Sequence, residues 1–448
     1  MPNFLNKKWA LGILLVTSLI VHFLFFGHPR QTVFDEVHFG KFISGYYTHE
    51  YYFDIHPPLG KLLIAGLGKL FHFSAEGGSA SGGSFGEIGE KFPDKTYMAL
   101  RFLPSLAGAL LPLVIYLLAL ELGFSLIGAM AAGAIIIFEN ALLTQSHYIL
   151  LDAFLLLFGF IALLFYFRYR NRKKWKNLIG AGIGAGLAIS VKWTGLTFLA
   201  LPIILELFDF IKSRKFPDLY KKIVTLALTP ILLYTAIFAV HFSLLSKTGL
   251  GDAFMSQRFQ STLQGTSVPA QENPPGFLEK FIELNTEMYR SNQRLTADHP
   301  FSSKWYTWPF MTRPIFYWVD ADARIYLLGN PVSWWLSTLA VIMAISLLIF
   351  DPKSIKKPAI ILLLGYILNL LPFIGIHRVM FLYHYLTALI FALLILIHLI
   401  DQEPKRLRYF IPLIALVIVT FIFFAPLSYG LPLSENDYSL RVWMQSWR

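Results

Sequence analysis

Asp35 and Glu36 stand side by side just after the first apolar segment, and the cluster Asp54-Ile55-His56-Pro57-Pro58 follows within the same polar stretch, Thr32–Lys61. A carboxylate at a membrane surface can be partly desolvated, which raises its proton affinity and suits it to general-base work. The plain alternative is that segments beside membrane spans are polar and aromatic because interfaces favour such residues. Cations come from distant parts of the chain: Arg101, Lys192, Arg378 and His384, with His377 beside them. Guanidinium and ammonium groups pair well with phosphate oxygens, so a cationic pocket at a membrane face suits a lipid-linked phosphate. Snorkelling to headgroups is the alternative for any one of them, least so for Arg101 on its otherwise apolar span. A second polar stretch runs His299-Pro300-Phe301-Ser302-Ser303-Lys304-Trp305-Tyr306-Thr307-Trp308-Pro309. Aromatic faces there could stack on sugar rings or peptides, or form an interfacial aromatic belt.

The elements that must position these groups are membrane helices. The chain has 448 residues, 56% hydrophobic and 15% charged, against about 25% charged in soluble domains. That excludes a string of soluble domains. It has no cysteine, so disulfides, thiol chemistry and cysteine metal sites are excluded. The net charge of +11 does not point to nucleic acid, because the excess sits in short loops between apolar spans. Lys7-Lys8 and the apolar run after it look like a signal peptide without a small-residue cleavage site, which reads as a retained first span.

Hydropathy predicts an all-α polytopic protein with about eleven spans. They lie near Trp9–Phe26, Ala99–Glu121, Gly123–Phe138, Ala141–Phe167, Leu178–Val191, Trp193–Phe208, Ile223–Leu245, Pro331–Phe350, Ala359–Ile376, Tyr383–Ile400 and Phe410–Ala425. Leu59–Phe73 is apolar but short and flanked by lysines, which predicts an interfacial helix. Gly77–Gly89 reads as a Gly/Ser-rich flexible loop. Lys7-Lys8 and the loops 168–177, 212–222, 351–358 and 401–409 hold 19 Lys and Arg on one side. This predicts a cytoplasmic N-terminus, an external C-terminus and two large external loops, 27–98 and 246–330. The chain is read as one membrane-embedded unit over 1–448, with a C-terminal four-helix part over 331–448. Asp35, Glu36, Asp54, His56, Arg101, Lys192, Arg378 and His384 then gather at the external face.

In order along the chain, FDEVHFGKF, YYFDIHPPLGKLL, MALRFLPSLAGALLPL, ILLDAFLLLF, ISVKWTGLTF, GDAFMSQRFQSTLQG, HPFSSKWYTWP and HRVMFLYHYL resemble the motifs of protein O-mannosyltransferases. One alone would be weak; the series covers nearly the whole chain. The resemblance implies a type C glycosyltransferase-like fold. It implies transfer of mannose, with inversion, from a polyprenyl (dolichyl-type) phosphate to Ser or Thr hydroxyls of secreted or membrane polypeptides. It implies Asp35 as general base and Glu36 as the group orienting it or the acceptor. Asp54 and His56 would line the same site, Arg101 would bind the donor phosphate with Arg378 and His384 as weaker candidates, and His299 and Trp305 would face sugar or acceptor; Lys192, from its place at the external face, is a further substrate-binding candidate. A hydroxyl is a poor nucleophile at neutral pH, so a base is needed, and cations beside the departing phosphate stabilise its charge.

Two departures stand out. The 246–330 loop is too short to hold the β-trefoil sugar-binding-type module of eukaryotic members, which suggests a prokaryotic-type enzyme in a bacterial or archaeal membrane. Ser146-His147 stands where the family usually has Ser-Arg; a titrating group there would make donor affinity pH-dependent if that position holds the donor. Alternatives are a sister enzyme acting on a lipid or glycan acceptor, and a transporter, which should show repeats and mid-membrane polar groups. Asp35, Glu36 and Asp54 could form an oxygen-rich Mg²⁺ or Mn²⁺ site, but the resemblance favours a metal-free base and no required cofactor. Expected partners are the lipid-linked mannose donor, a Ser/Thr polypeptide and membrane lipid, with protein-export machinery a further candidate.

Overall fold

A computed structural model of the chain describes residues 6–73, 85–214, 216–294, 299–376 and 378–448. Most of Gly77–Gly89, and His377, lie outside them. Apolar runs in a bilayer must satisfy their backbone internally, and helices do so. Among the described residues eight helices are long and apolar enough to cross a membrane: Tyr97–Glu121, Asp152–Arg172, Trp193–Lys212, Asp218–Leu244, Pro331–Phe350, Lys357–Gly375, Leu382–Asp401 and Leu407–Tyr429. Leu126–Ile137 and Asn140–Ser146, bent by 58°, bring the number to nine if the pair is one broken span. The protein is therefore an all-α, multi-pass membrane protein, but the expected eleven spans are not all of spanning length. The helices Lys7–Phe23 and Trp175–Val191 have 17 residues each, about 25 Å of helix against a hydrocarbon core of about 30 Å.

The predicted boundary between the third and fourth spans also moves. The chain does not restart at Ala141; it bends at Glu139, continues to Ser146, and the next helix begins at Asp152. Glu139 explains the bend. Its buried carboxylate accepts the Asn330 N–H at 2.7 Å and the Ser333 hydroxyl, pinning the break to the start of helix Pro331–Phe350.

The first polar stretch folds into two helices, Glu36–Thr48 and Leu59–Leu70. The second has 12 residues, about 18 Å, too short to span. It leaves Leu70 and Phe71 exposed. The later loop holds an amphipathic helix, Phe277–Arg294, and an antiparallel hairpin, Ile315–Asp320 with Ala323–Leu327. The hairpin is a departure from purely helical structure. Its strands are β-branched and aromatic, the composition that suits a half-buried pleated surface. It clasps the first polar stretch: the Phe34 N–H donates to the Tyr317 carbonyl at 3.0 Å, and the two rings stack at 4.0 Å.

Candidate active site

Asp35 sits at the head of helix Glu36–Thr48, and its carbonyl accepts the first turn's N–H groups from His38 and Phe39. Phe34 before it lies in the left-handed region at φ 47°, strained for a bulky residue. The hydrogen bond and stack with Tyr317 hold that conformation and so fix where Asp35 points. Its carboxylate has no hydrogen bond or ion pair with the described residues. Burial pushes its pKa up to about 7, with Lys192 pulling it down and Asp152 and Asp54 adding to the rise. An unpaired carboxylate poised near neutrality is what a general base requires.

Glu36 does different work. It is fully buried against Arg101, which grips it with two hydrogen bonds of 2.7 Å. The Val33 and Ile149 N–H groups also donate to it, at 2.8 and 2.9 Å. Arg101 spends its remaining N–H groups on the carbonyls of Gly27, Pro29 and Gln31. A guanidinium has five N–H donors, and all five are used inside the protein. Arg101 is thus placed as an anchor, with no N–H left for a phosphate, and Glu36 as its counter-ion rather than a group facing an acceptor. The cause is topological: the turn before Asp35 lies on the Arg101 end of helix Tyr97–Glu121.

The other candidates do meet. Lys192, Arg378, His384 and His56 line one cavity of about 440 Å³ with Asp152, Tyr383 and Asn292. Lys192 terminates helix Trp175–Val191 in an extended conformation and donates to both Asp152 oxygens, at 2.9 and 2.8 Å. Gln145 donates to Asp152 at 2.7 Å and accepts from the Tyr317 hydroxyl, linking this pair to the hairpin that positions Asp35. Arg378 donates to Asn292 at 2.8 Å and to His384 Nε2 at 3.0 Å, so His384 accepts as a neutral imidazole and the cations of the cavity are Lys192 and Arg378. Burial, with Lys192 and Arg378 nearby, holds His56 well below the usual histidine range, so it is neutral. Much of the remaining wall is apolar, with Leu155, Leu156, Leu196, Ala200, Leu368 and Pro372 from the membrane helices, though Thr197, Asn369 and Thr387 also line it. An apolar channel ending in cations fits a lipid chain that carries an anionic head.

The remaining candidates lie elsewhere. Asp54 is ion-paired to buried Lys61, whose other hydrogen bonds go to the His56 and Pro57 carbonyls. It shapes the site through that pair. His299 accepts the Phe301 N–H and packs edge-on to Phe381, bracing the loop without lining the cavity. Trp305 lines a separate groove. His147 is buried, neither ring nitrogen has a partner, and burial lowers its pKa to about 3. It stays neutral between pH 6 and 8, so the expected titration at this position has no physical basis. Asp152, Gln145, Tyr383, Asn292 and Lys61 were not singled out by sequence; only Asp152, alone in ILLDAFLLLF, carried a signal.

Asp35, Glu36 and Asp54 do not converge on a metal site, since Glu36 and Asp54 are each committed to a cation. Among the described residues no three His, Asp or Glu side chains are grouped to hold an ion.

An unpaired carboxylate near a largely apolar, cation-bearing cavity in a multi-pass helical protein fits a membrane-embedded glycosyltransferase. Residues 12–246 match the family described as dolichyl-phosphate-mannose-protein mannosyltransferase, and residues 277–447 match the C-terminal four-helix region of protein O-mannosyltransferases. The chain belongs to this family. It is 33% identical over 300 residues to dolichyl-phosphate-mannose–protein mannosyltransferase 4 of Candida albicans, a match covering 62% of this chain and 39% of that protein. The match to mannosyltransferase 1 of the same organism covers 60% and 32%. This chain thus spans well under half the length of these relatives. Mannosyltransferase 1 of Saccharomyces cerevisiae is 23% identical over 99% of this chain and 83% of its own length. Among solved structures, the S. cerevisiae Pmt1-Pmt2 complex bound to the sugar donor superposes with a TM-score of 0.90 at 22% identity, covering 100% of this chain and 93% of that one. ArnT of Cupriavidus metallidurans superposes at 0.56 with 17% identity over 97% and 68%. The type C fold is confirmed.

The expectation of a prokaryotic type lacking the loop module is corrected by these matches. The relatives are eukaryotic, from fungi and from Danio rerio, and the yeast complex matches the whole chain. Loop length misled here because surface insertions cost little stability and so say little about kinship.

Proposed function

We propose that the chain transfers mannose from a polyprenyl (dolichyl-type) phosphate to Ser or Thr hydroxyls of polypeptides. The observation that carries this reading is the unpaired Asp35 carboxylate, which feels the charges of Lys192 and Asp152, two residues of a largely apolar cavity whose cations are Lys192 and Arg378. Asp35 takes the hydroxyl proton as the oxygen attacks the anomeric carbon. The sugar–phosphate bond breaks on the opposite side, with inversion, and the cations hold the departing phosphate. Membership of the family and the donor bound in the yeast complex support the choice of donor.

Supporting the finer architecture, the eight long helices, the bent pair and the two 17-residue helices add up to eleven crossings. The 19 cations on one side favour a cytoplasmic N-terminus and an external site. The chain is then one catalytic unit over 1–448. Loops 27–98 and 246–330 carry the external groups, and 331–448 forms a four-helix membrane part.

The test is transfer from labelled polyprenyl phosphate mannose to a Ser/Thr-rich peptide, run beside a lipid extract. Labelled peptide is expected; label in lipid alone would favour the sister-enzyme reading. EDTA should leave the rate unchanged, because two of the three acids that could bind a metal are already ion-paired. Loss of activity in EDTA with recovery in Mn²⁺ would reverse that.

Lys192→Met should weaken the donor. A charge-assisted hydrogen bond to phosphate is worth about 1.5–3 kcal/mol, so the donor KM should rise about tenfold to a hundredfold. Pairing it with Asp152→Asn removes the uncompensated acid. A double variant with the wild-type donor KM would show that Lys192 serves only Asp152.

A further inference from the structure

Outside the cavity, the second loop builds a groove that the reaction as described leaves unused. It holds about 720 Å³ and is walled by Ser302–Thr307, Thr312, Arg313, the turn around Arg378, and Ser446. The walls are tied together. The Ser303 N–H donates to the Met380 carbonyl at 2.9 Å, and Arg313 bridges the Pro300 and Ser446 carbonyls at 2.8 and 2.9 Å. Three cations line the groove, Lys304, Arg313 and Arg378, and none of its lining residues is Asp or Glu. Among the described residues none of the three has an acid within ion-pair distance. Other loop cations do find acids, as Arg258 does with Glu279 and Arg324 with Glu435. Arg378 also lines the donor cavity, so groove and cavity meet at that residue.

The geometry points to this groove as a subsite for acidic residues flanking the acceptor Ser or Thr, making Lys304 a specificity-determining residue. The inference rests on the proposed peptide acceptor and adds its charge. A polypeptide fits better than a lipid headgroup. Ser302, Ser303, Thr307, Thr312 and Ser446 offer hydroxyls for a passing backbone, and Trp305 and Tyr306 offer ring faces for its side chains. Unpaired cations at a rim steer oppositely charged partners and reject like-charged ones.

Three peptides of equal length, each with one acceptor Ser flanked by neutral, Asp or Lys residues, decide the matter with the full chain and polyprenyl phosphate mannose. The acidic peptide should have the lowest KM and the Lys peptide the highest, by about threefold to fivefold per charge. Differences in kcat should be small, and the KM preference should shrink as salt rises. Lys304→Glu should move the preference toward the Lys peptide. Equal KM values, or an order unchanged in Lys304→Glu, overturn the subsite while transfer to the neutral peptide leaves the proposed activity standing. If no peptide is mannosylated, the activity reading falls, and anisotropy of a labelled acidic peptide still decides the groove. Tighter binding to the wild type than to Lys304→Glu supports it; equal binding, or displacement by phosphatidylglycerol micelles at constant ionic strength, overturns it.

Discussion

Asp35→Asn is expected to reduce mannose transfer by about two to four orders of magnitude, the usual worth of a positioned general base. The fold should survive, because the carboxylate makes no hydrogen bond or ion pair that asparagine would break. In the wild type, kcat/KM should rise with pH up to about 7 and then level off, since Asp35 must be unprotonated and burial holds its pKa at about 7. The residual activity of the variant should lack that limb. Stability gives an independent reading with the opposite sign. A carboxylate whose folded pKa is raised stabilises the fold only while protonated. That contribution is complete below the ordinary carboxylate value of about 4 and is lost as pH rises through about 7. Asp35→Asn should therefore be at least as stable as the wild type at pH 8, and thermal unfolding at pH 5 and 8 measures this. An inactive variant that is also less stable at pH 8 would make Asp35 a structural residue and move the search for the base elsewhere.

The largest stability effect belongs to Arg101. Removing one partner of a fully buried ion pair leaves an uncompensated charge and costs about 3–5 kcal/mol. Arg101→Met should strand Glu36, and Glu36→Leu should strand Arg101; each should sharply reduce the yield of folded, detergent-soluble protein. The double variant should recover part of it, because replacing both charges by apolar groups removes the desolvation problem along with the pair. Whatever protein folds should bind donor with near wild-type affinity, since no Arg101 N–H is free for phosphate. Normal folding of Arg101→Met with a selective loss of donor affinity would return Arg101 to the phosphate.

Arg101 also marks the limit of what the sequence reveals. Hydropathy located the membrane segments, because the cost of exposing polar groups to lipid is written into composition. It could not place the break at Glu139, because that bend depends on contacts with Asn330 and Ser333, some 190 positions away. The site was legible in the same uneven way. Asp35, Lys192, Arg378 and His384 were singled out by charge on external turns. A cation on an apolar span announces only that it needs a partner, and sequence cannot distinguish a phosphate from Glu36. Asp152, in the middle of the predicted span Ala141–Phe167, carried a signal as a lone acid among apolar residues, but the partner it needs is not written beside it. Its pairing with Lys192 is visible only once the two helices pack. His147 looked titratable because its burial is a tertiary property.

Among the described residues, the three ion pairs with both side chains buried share a direction along the chain. Glu36 precedes Arg101, Asp54 precedes Lys61, and Asp152 precedes Lys192. A chain made from its N-terminus places each acid before the matching base is synthesised. A lone arginine or lysine entering a bilayer costs about 2.5–3.5 kcal/mol, and that cost falls when a counter-charge already waits at the destination. For Arg101 and Lys192, which sit on or at the end of membrane helices, the order of residues thus doubles as an order of assembly, in which the later cation is received by an acid made before it.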